Sequence, residues 1–214
     1  MDEKLMILVP AMDMMPTVTF MSFMGLDKPE SAKTVSIIGT LVYDARNSLA
    51  EEAIKAEADL ALWIDSDMAF EPDFYRKLKA AMDESGADMV SAMCWRRKPP
   101  IELVQFEVLQ RDEEHDAWNV RALSKPPEGI QEIDACGFGG VLMKVDLLRD
   151  MKQVFGVPFQ PTDGLGEDLA FCARAKMLGA KIVCDGRVLM GHIGTAVYGG
   201  KPRPQQGEKP EGNT

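Results

Sequence analysis

The feature that most constrains the fold is a short, uninterrupted apolar run that ends in two aspartates. Residues 60–64 are Leu-Ala-Leu-Trp-Ile, and Asp65-Ser66-Asp67 follows at once. A run of this length predicts a strand buried on both faces, and open α/β sheets bind ligands at the carboxyl ends of their strands. Two carboxylates there suit a divalent cation and the phosphates it carries, since no lysine or arginine stands beside them in the sequence. The alternative is an Asp-Ser-Asp turn bonded to its own backbone.

Around this strand, the first half of the chain alternates strands with helices. Short apolar runs predict the strands, and apolar residues at helical spacing predict the helices. In chain order the predicted elements are strands at 5–9 and 34–42, a helix at 45–58, the strand that ends at Asp65, a helix at 72–86 and a strand at 88–93. This alternation predicts a mostly parallel sheet covered by helices.

The second half of the chain has a different pattern. Residues 103–109 and 117–123 alternate polar and apolar side chains around an acidic turn, which predicts a hairpin. The elements predicted after it are strands at 130–135 and 140–144, a helix capped by Asp146 that stops at Gly156, a helix at 167–178 and a strand at 181–184. We therefore expect an α/β fold with a Rossmann-like nucleotide-binding half on a mixed sheet and an antiparallel acceptor half. Residues 1–200 form one domain in this prediction, and residues 201–214, rich in proline, glycine and charge, form a disordered tail.

Composition limits the kinds of partner. The net charge of −10 argues against nucleic acid as the main partner, because phosphate neutralisation needs a basic face. The four widely spaced cysteines form no C-x-x-C pair, so free, half-buried thiols in a reducing cytosol are expected rather than disulfides. No apolar stretch approaches 18 residues and the N-terminus lacks the pattern of a signal peptide, which predicts a cytoplasmic protein without an integral membrane segment.

Four further features carry candidate chemistry, and each has a structural alternative. Arg46 lies at a predicted helix start, where a cation is unfavourable unless it shares an anion, although a surface ion pair explains it too. A glycine-bearing corner at 136–140 suits close approach to a ligand, or a tight turn. Glu167 and Asp168 start a helix, where one carboxylate is a candidate general base or both simply favour the helix dipole. His192 is flanked by glycines and is a candidate metal ligand or a structural histidine.

Taken in order, these pieces resemble the nucleotide-sugar glycosyltransferases of the GT-A fold, closest to family 2 and its small phage- and bacteria-like relatives. The resemblance covers residues 5–194. Its motifs are the first strand ending at Pro10, the Ala45-Arg46-Asn47 helix start, Asp65-Ser66-Asp67, the stretch 134–144, Gly166-Glu167-Asp168 and His192. The bulky basic or aromatic C-terminal motif of commoner members is not found.

The resemblance implies roles for individual residues. The metal, Mn²⁺ or Mg²⁺, would be held by Asp67 and His192 with Asp65, which also lies near the donor ribose or sugar. The donor, a nucleotide diphosphate-sugar, would contact Arg46, Gly137, Gly139 and the segment Pro10, Ala11 and Asp13. Asp168 would be the catalytic base, with Glu167 supporting it. Which of these two carboxylates is the base is left open. Apart from the resemblance, the place of Trp95, with Arg96 and Arg97, after a strand makes it a candidate acceptor platform, and a core tryptophan is the alternative.

These implications predict a hexosyltransferase-type enzyme that moves a sugar from the donor to a hydroxyl acceptor, with inversion. Two alternatives remain at this point. A nucleotidyltransferase shares the layout, but it usually carries a glycine-rich basic loop after the first strand, and here no glycine or lysine follows Pro10 until Gly25. A non-catalytic protein that binds nucleotides or carbohydrates is the other. Donor, acceptor and oligomeric state are not predicted.

Overall fold

The computed structural model describes residues 3–97, 99–162 and 164–194, which fold into an α/β structure. The predicted tail at 201–214 lies outside the described residues. Five helices are described: α1 Thr17–Gly25, α2 Val42–Lys55, α3 Phe74–Ser85, α4 Val145–Phe155 and α5 Glu167–Met177. The described strands are β1 Leu5–Ala11, β2 Lys33–Ile38, β3 Leu60–Ile64, β4 Met68–Ala69, β5 Met89–Met93, β6 Gln105–Asp112, β7 Ala117–Ala122, β8 Ile130–Glu132, β9 Ala135–Cys136, β10 Gly140–Lys144, β11 Ile182–Leu189 and β12 Gly191–His192.

A seven-stranded mixed sheet, ordered β2-β1-β3-β10-β5-β11-β8, forms the centre of the fold. β1 pairs in parallel with β2 and β3, and β11 pairs in parallel with β5. β10 is antiparallel to both of its neighbours, β3 and β5. The predicted α/β class with a mixed sheet is thus confirmed, and the second half of the chain adds strands to the same sheet as the first.

The central strands are mostly apolar because both faces of the sheet are covered. Every residue of β3 and of β5 is buried. One core cluster packs α2, α4 and α5 against the sheet through residues such as Leu49, Leu148 and Phe171. The other cluster packs α3 against the opposite face through residues such as Leu78.

Two small sheets complete the described part of the fold. The predicted hairpin is confirmed as β6 and β7, with β9 added on the other edge of β6. β12 pairs with β4 through Gly191 opposite Ala69 and His192 opposite Met68. This second pairing was not predicted, because strands of two residues carry no recognisable periodicity.

Several predicted boundaries were wrong. α2 starts at Val42, before the predicted 45, and ends at Lys55. Asp146 lies in the first turn of α4 rather than at the cap, which Lys144 occupies. The last long strand extends beyond the predicted 184 to Leu189. The prediction stopped early because the pairing register shifts after Asp185, and the apolar pattern is interrupted there.

Two of the expectations from composition concern the cysteines and the helices. All four cysteines are free, and they are fully buried rather than half-buried. None of the helices in the described ranges has the length and hydropathy needed to span a bilayer.

Candidate functional site

A cleft of about 240 Å³ opens at the carboxyl ends of β1 and β3. It gathers residues that are far apart in the chain, since parallel neighbouring strands end at the same edge of the sheet. The lining residues are Pro10, Ala11, Met12, Thr40, Val42, Ala45, Asp65, Ser66, Asp67, Arg97 and His192. Five residues predicted for the site, from 10 to 192 in the sequence, therefore share one cleft.

Behind this cleft, Arg46 is the centre of a buried ion-pair cluster. Its side chain is only 2 % exposed. The guanidinium Nη2 lies 3.2 Å from Asp65 Oδ1, and Nε lies 3.4 Å from Asp168 Oδ1 and 3.8 Å from Glu167 Oε1. Its carbon also lies 5.3 Å from the centre of the Phe138 ring. α2, β3 and the start of α5 are thus joined through one cation.

This arrangement differs from the role that the resemblance implies for Arg46. The predicted contact was with the nucleotide, but the guanidinium is taken up by carboxylates of the protein and is not part of the cleft lining. Arg46 acts on the cleft through the carboxylates that it orients. The sequence contained the signal: Arg46 lies three, four and seven residues before Leu49, Ala50 and Ala53, which places it on the buried face of α2.

Asp168 has an environment suited to proton transfer. Burial raises the pKa of its carboxyl to about 7, with the nearby Glu167 and Asp65 charges acting in the same direction and the Arg46 guanidinium opposing them. Oδ2 accepts a hydrogen bond of 3.2 Å from the backbone N–H of Phe138, which fixes the carboxyl. Its side chain is 23 % exposed, with Oδ1 buried, and it does not line the cleft. A carboxyl with a pKa near neutrality is suited to general base catalysis.

The second cluster stands at the other side of the cleft, where Asp67 meets His192. The β4–β12 pairing brings them together, so that His192 Nε2 lies 3.3 Å from Asp67 Oδ2. His192 Nδ1 donates to the backbone carbonyl of Trp95 at 3.0 Å. Arg97 Nη1 contacts the same Asp67 oxygen that faces His192.

These contacts change the acidity of both partners. The hydrogen bond with Asp67 raises the pKa of His192 to about 10, although its burial acts the other way. Burial opposes ionisation of Asp67, but the hydrogen bond from His192 and the charges of His192 and Arg97 outweigh it and lower its pKa. In the absence of a metal, Asp67 is therefore an ionised carboxylate neutralised by two cationic side chains.

The chemistry of the pair fits a divalent cation. With Nδ1–H committed to the Trp95 carbonyl, a neutral His192 presents the Nε2 lone pair towards Asp67, the usual orientation of a metal-ligating histidine. Within the described ranges no group of three or more histidine, cysteine or acidic residues could hold a metal, and Asp65 is turned to Arg46. Two protein ligands leave the other positions to phosphate oxygens and water, as Mg²⁺ commonly has them.

The remaining predicted residues are less directly placed. Gly137 is half-buried, and a Cβ there would meet Val104 at 3.1 Å with Asp168 Oδ2 at 3.7 Å. Gly139 is buried, and a Cβ there would lie 2.2 Å from the Met68 methyl, so packing explains this glycine. Asp13 is exposed, accepts the Met14 N–H and does not line the cleft.

A larger groove of about 920 Å³ adjoins the cleft. Arg97 and His192 line both. The groove has apolar walls that include Phe70, Trp95 and Ile101, with charged side chains among them. Trp95 and Arg97 had been predicted as an acceptor platform, but the pairing of Arg97 with Asp67 was missed, because a contact across 30 residues leaves no local pattern.

No protein-family model matches this chain, and no curated protein matches it. Solved structures do match. One of them is A197 from STIV, which aligns with 95 % of this chain over 100 % of its own length, with a TM-score of 0.57 and 14 % sequence identity. At this identity the likeness supports the α/β fold alone.

Proposed function

We propose that this chain is a metal-dependent glycosyltransferase, which moves one sugar from a nucleotide diphosphate-sugar donor to a hydroxyl group with inversion. The observation that carries the proposal is the Asp67–His192 pair, 3.3 Å apart, in a cleft at the carboxyl ends of β1 and β3. The order of sequence motifs that resemble the GT-A glycosyltransferases is consistent with it. A donor with a diphosphate explains why an acidic protein needs a metal here.

The donor half of the proposed site is the small cleft. Asp67 and His192 would hold Mn²⁺ or Mg²⁺, and Pro10 and Ala11 line the wall against which the nucleoside would lie. The chemistry supplied there would be Lewis-acid neutralisation of charge on the departing diphosphate. Asp65, fixed by Arg46 at the cleft wall, faces the ribose or the donor sugar.

The acceptor half is the adjoining groove, and the base is Asp168, which belongs to the Arg46 cluster behind the cleft rather than to the groove lining. Its carboxylate takes the proton of the acceptor hydroxyl, whose oxygen attacks the anomeric carbon while the bond to the diphosphate oxygen breaks. Glu167 also pairs with the Arg46 guanidinium and helps to hold Arg46 in place. We place the reaction in the cytoplasm, where free thiols remain reduced.

The test is ligand-dependent stability followed by turnover. UDP, GDP, ADP and CDP are screened by thermal shift with and without Mn²⁺, because a ligand of the native state raises the melting temperature by mass action. The sugar nucleotides of the best diphosphate are then assayed for hydrolysis and transfer, and product stereochemistry tests inversion. We expect a shift with one diphosphate that depends on Mn²⁺.

Matched variants tie the effect to the site. Asp67→Asn removes a carboxylate of the proposed metal site, whereas Asp146→Asn removes one that is exposed and paired with Arg149 on α4. The Mn²⁺-dependent shift disappears in the first variant and persists in the second. Absence of any shift or turnover in the wild-type protein contradicts the proposed function.

A further inference from the structure

Asp67 Oδ2 has two cationic neighbours at once. His192 Nε2 is 3.3 Å away, and Arg97 Nη1 contacts the same oxygen. The Asp67 side chain is 24 % exposed, so both contacts are made in a partly desolvated place. There a charge–charge contact is stronger than in water.

A divalent cation on Asp67 competes with Arg97. A divalent cation on Oδ2 adds two positive charges beside the Arg97 guanidinium, so the repulsion exceeds that between the singly charged His192 and Arg97, and it grows as the local dielectric constant falls. An imidazole can ligate a metal through a ring nitrogen, whereas an arginine guanidinium offers no lone pair and keeps its charge. Metal bound at Asp67 Oδ2, the oxygen that Arg97 contacts, therefore favours movement of the Arg97 guanidinium away from it.

The surroundings of Arg97 allow this movement. Its side chain is 48 % exposed, and it stands between the cleft and the groove, both of which it lines. The backbone is fixed just before it, because Trp95 bridges Leu103 and the Arg96 N–H bonds the Glu102 carbonyl. The side chain can change partner while its anchor stays in place.

We propose that Arg97 is an exchangeable cation, which neutralises Asp67 in the metal-free cleft and transfers to the diphosphate of the donor when metal and nucleotide bind. Its planar guanidinium can contact two phosphate oxygens at once. The identity of the diphosphate rests on the proposed function, whereas the competition at Asp67 does not.

The exchange couples the two ligands. Metal alone displaces Arg97 without giving it a new partner, and a diphosphate alone meets a guanidinium already held by Asp67. Together, each ligand removes the obstacle to the other, so metal and nucleotide bind with positive cooperativity. The coupling is reciprocal, as any linkage between two binding equilibria must be.

The first measurement uses Mn²⁺ alone and needs no nucleotide. Binding is measured by electron paramagnetic resonance at one fixed pH for the wild type, Arg97→Ala and Arg96→Ala. Arg96 is the matched control, because its guanidinium pairs with Glu102. We expect Arg97→Ala to bind Mn²⁺ at least about 5-fold more tightly than wild type, in the range typical of coupled sites, and Arg96→Ala to match the wild type. Equal affinity in wild type and Arg97→Ala overturns the competition.

The second measurement adds the diphosphate that gives the largest thermal shift. In the wild type, saturating Mn²⁺ strengthens nucleotide binding in calorimetry, and in Arg97→Ala that strengthening falls at least about 5-fold. Arg97→Lys keeps the charge but loses the two-oxygen contact, so its Mn²⁺ affinity stays near wild type while its nucleotide affinity with metal falls. This variant also serves if Arg97→Ala does not fold.

The outcomes separate the two proposals. If no diphosphate binds the wild type, the proposed function fails, and the Mn²⁺ titration still decides the competition. If a diphosphate binds with Mn²⁺ but the coupling is unchanged in Arg97→Ala, the proposed function stands and the exchange is overturned.

Discussion

Two acidic clusters, one on the cleft and one behind it that reaches the cleft through Asp65, neutralise their charge in different ways. The cation of the first, Arg46, is 2 % exposed and is held by three carboxylates from two elements. The cation of the second, Arg97, is 48 % exposed and holds one oxygen of Asp67. A buried cation with several partners fixes geometry, whereas an exposed cation with one partner can be replaced. The first cluster suits a positioned base, and the second suits a ligand that comes and goes.

The largest expected effect separates the two clusters by activity. Asp168→Asn keeps the side-chain shape and an oxygen for the Phe138 N–H, but it cannot take a proton. On the proposed transfer reaction we expect kcat to fall about 10²–10⁴-fold, the usual contribution of a general base. Mn²⁺ binding, measured in parallel, stays within about 2-fold of wild type because Asp67 is untouched. A variant that keeps full activity removes Asp168 from the mechanism.

The next effect concerns stability. Arg46→Met leaves three carboxylates without their buried cation, and removing one partner of a buried ion pair is strongly destabilising. We expect the free energy of unfolding at pH 7.5 to fall by about 3 kcal/mol, measured by urea denaturation. Arg46→Lys, which keeps the charge, should recover part of the loss. A cost below about 1 kcal/mol, as for a surface pair, would falsify the buried-hub description.

The pH dependence follows from Asp168. Its carboxyl, with a pKa of about 7 in the folded protein, must be ionised to act as a base. We expect log kcat/KM, measured at saturating Mn²⁺, to fall with unit slope below pH 7. Because the folded state binds this proton more tightly than the unfolded state, where the pKa is about 4, ionisation of Asp168 lowers stability as pH rises from about 4 to 7.

The stability of the Asp168→Asn variant tests the predicted direction in which ionisation of Asp168 changes the free energy of unfolding. Its free energy of unfolding, relative to the wild type, should rise between pH 4 and pH 7. A relative stability that falls with pH over this range contradicts a raised pKa for Asp168.

The smallest effect completes the comparison. Arg97→Ala removes a half-exposed partner, and such pairs contribute about 0.2–1 kcal/mol. We expect its free energy of unfolding to change by less than about 1 kcal/mol, in the same urea titration as Arg46→Met. A loss of unfolding free energy equal to that of Arg46→Met would mean that both arginines are structural, which contradicts the contrast between a fixed and an exchangeable cation.

From the sequence, which residues share the site could be predicted better than how those residues contact one another. Pro10 and Asp65 follow buried apolar strands, and the carboxyl ends of neighbouring parallel strands meet at one edge. The burial of Arg46 could also be predicted from the sequence, because its spacing to Leu49 and Ala53 places it on a buried helical face. Asp168 has the same spacing to Phe171, Cys172 and Ala175, all buried, but Glu167 precedes buried Ala170 and Phe171 in the same way, so the periodicity does not say which of the two is the base.

The contacts of Asp67 could not be predicted in this way. His192 reaches it through the pairing of β4 and β12, strands of two residues each, and Arg97 reaches it from a loop. Such contacts depend on tertiary arrangement, and neither hydrophobic periodicity nor turn chemistry specifies them. The aspartates therefore looked free of cations, although both are paired.

The position of the antiparallel strand β10 affects folding during synthesis. In the sheet β10 lies between β3 and β5, but in the sequence it follows β3 by about 75 residues. Until Lys144 has been synthesised, β3 and β5 each keep an open edge of unpaired backbone groups, and such edges template aggregation. Pairings that close over long chain separations form slowly. A fragment that ends after Met93 holds the cleft's aspartates but lacks the strand that closes its sheet, so it should aggregate rather than fold into a nucleotide-binding half.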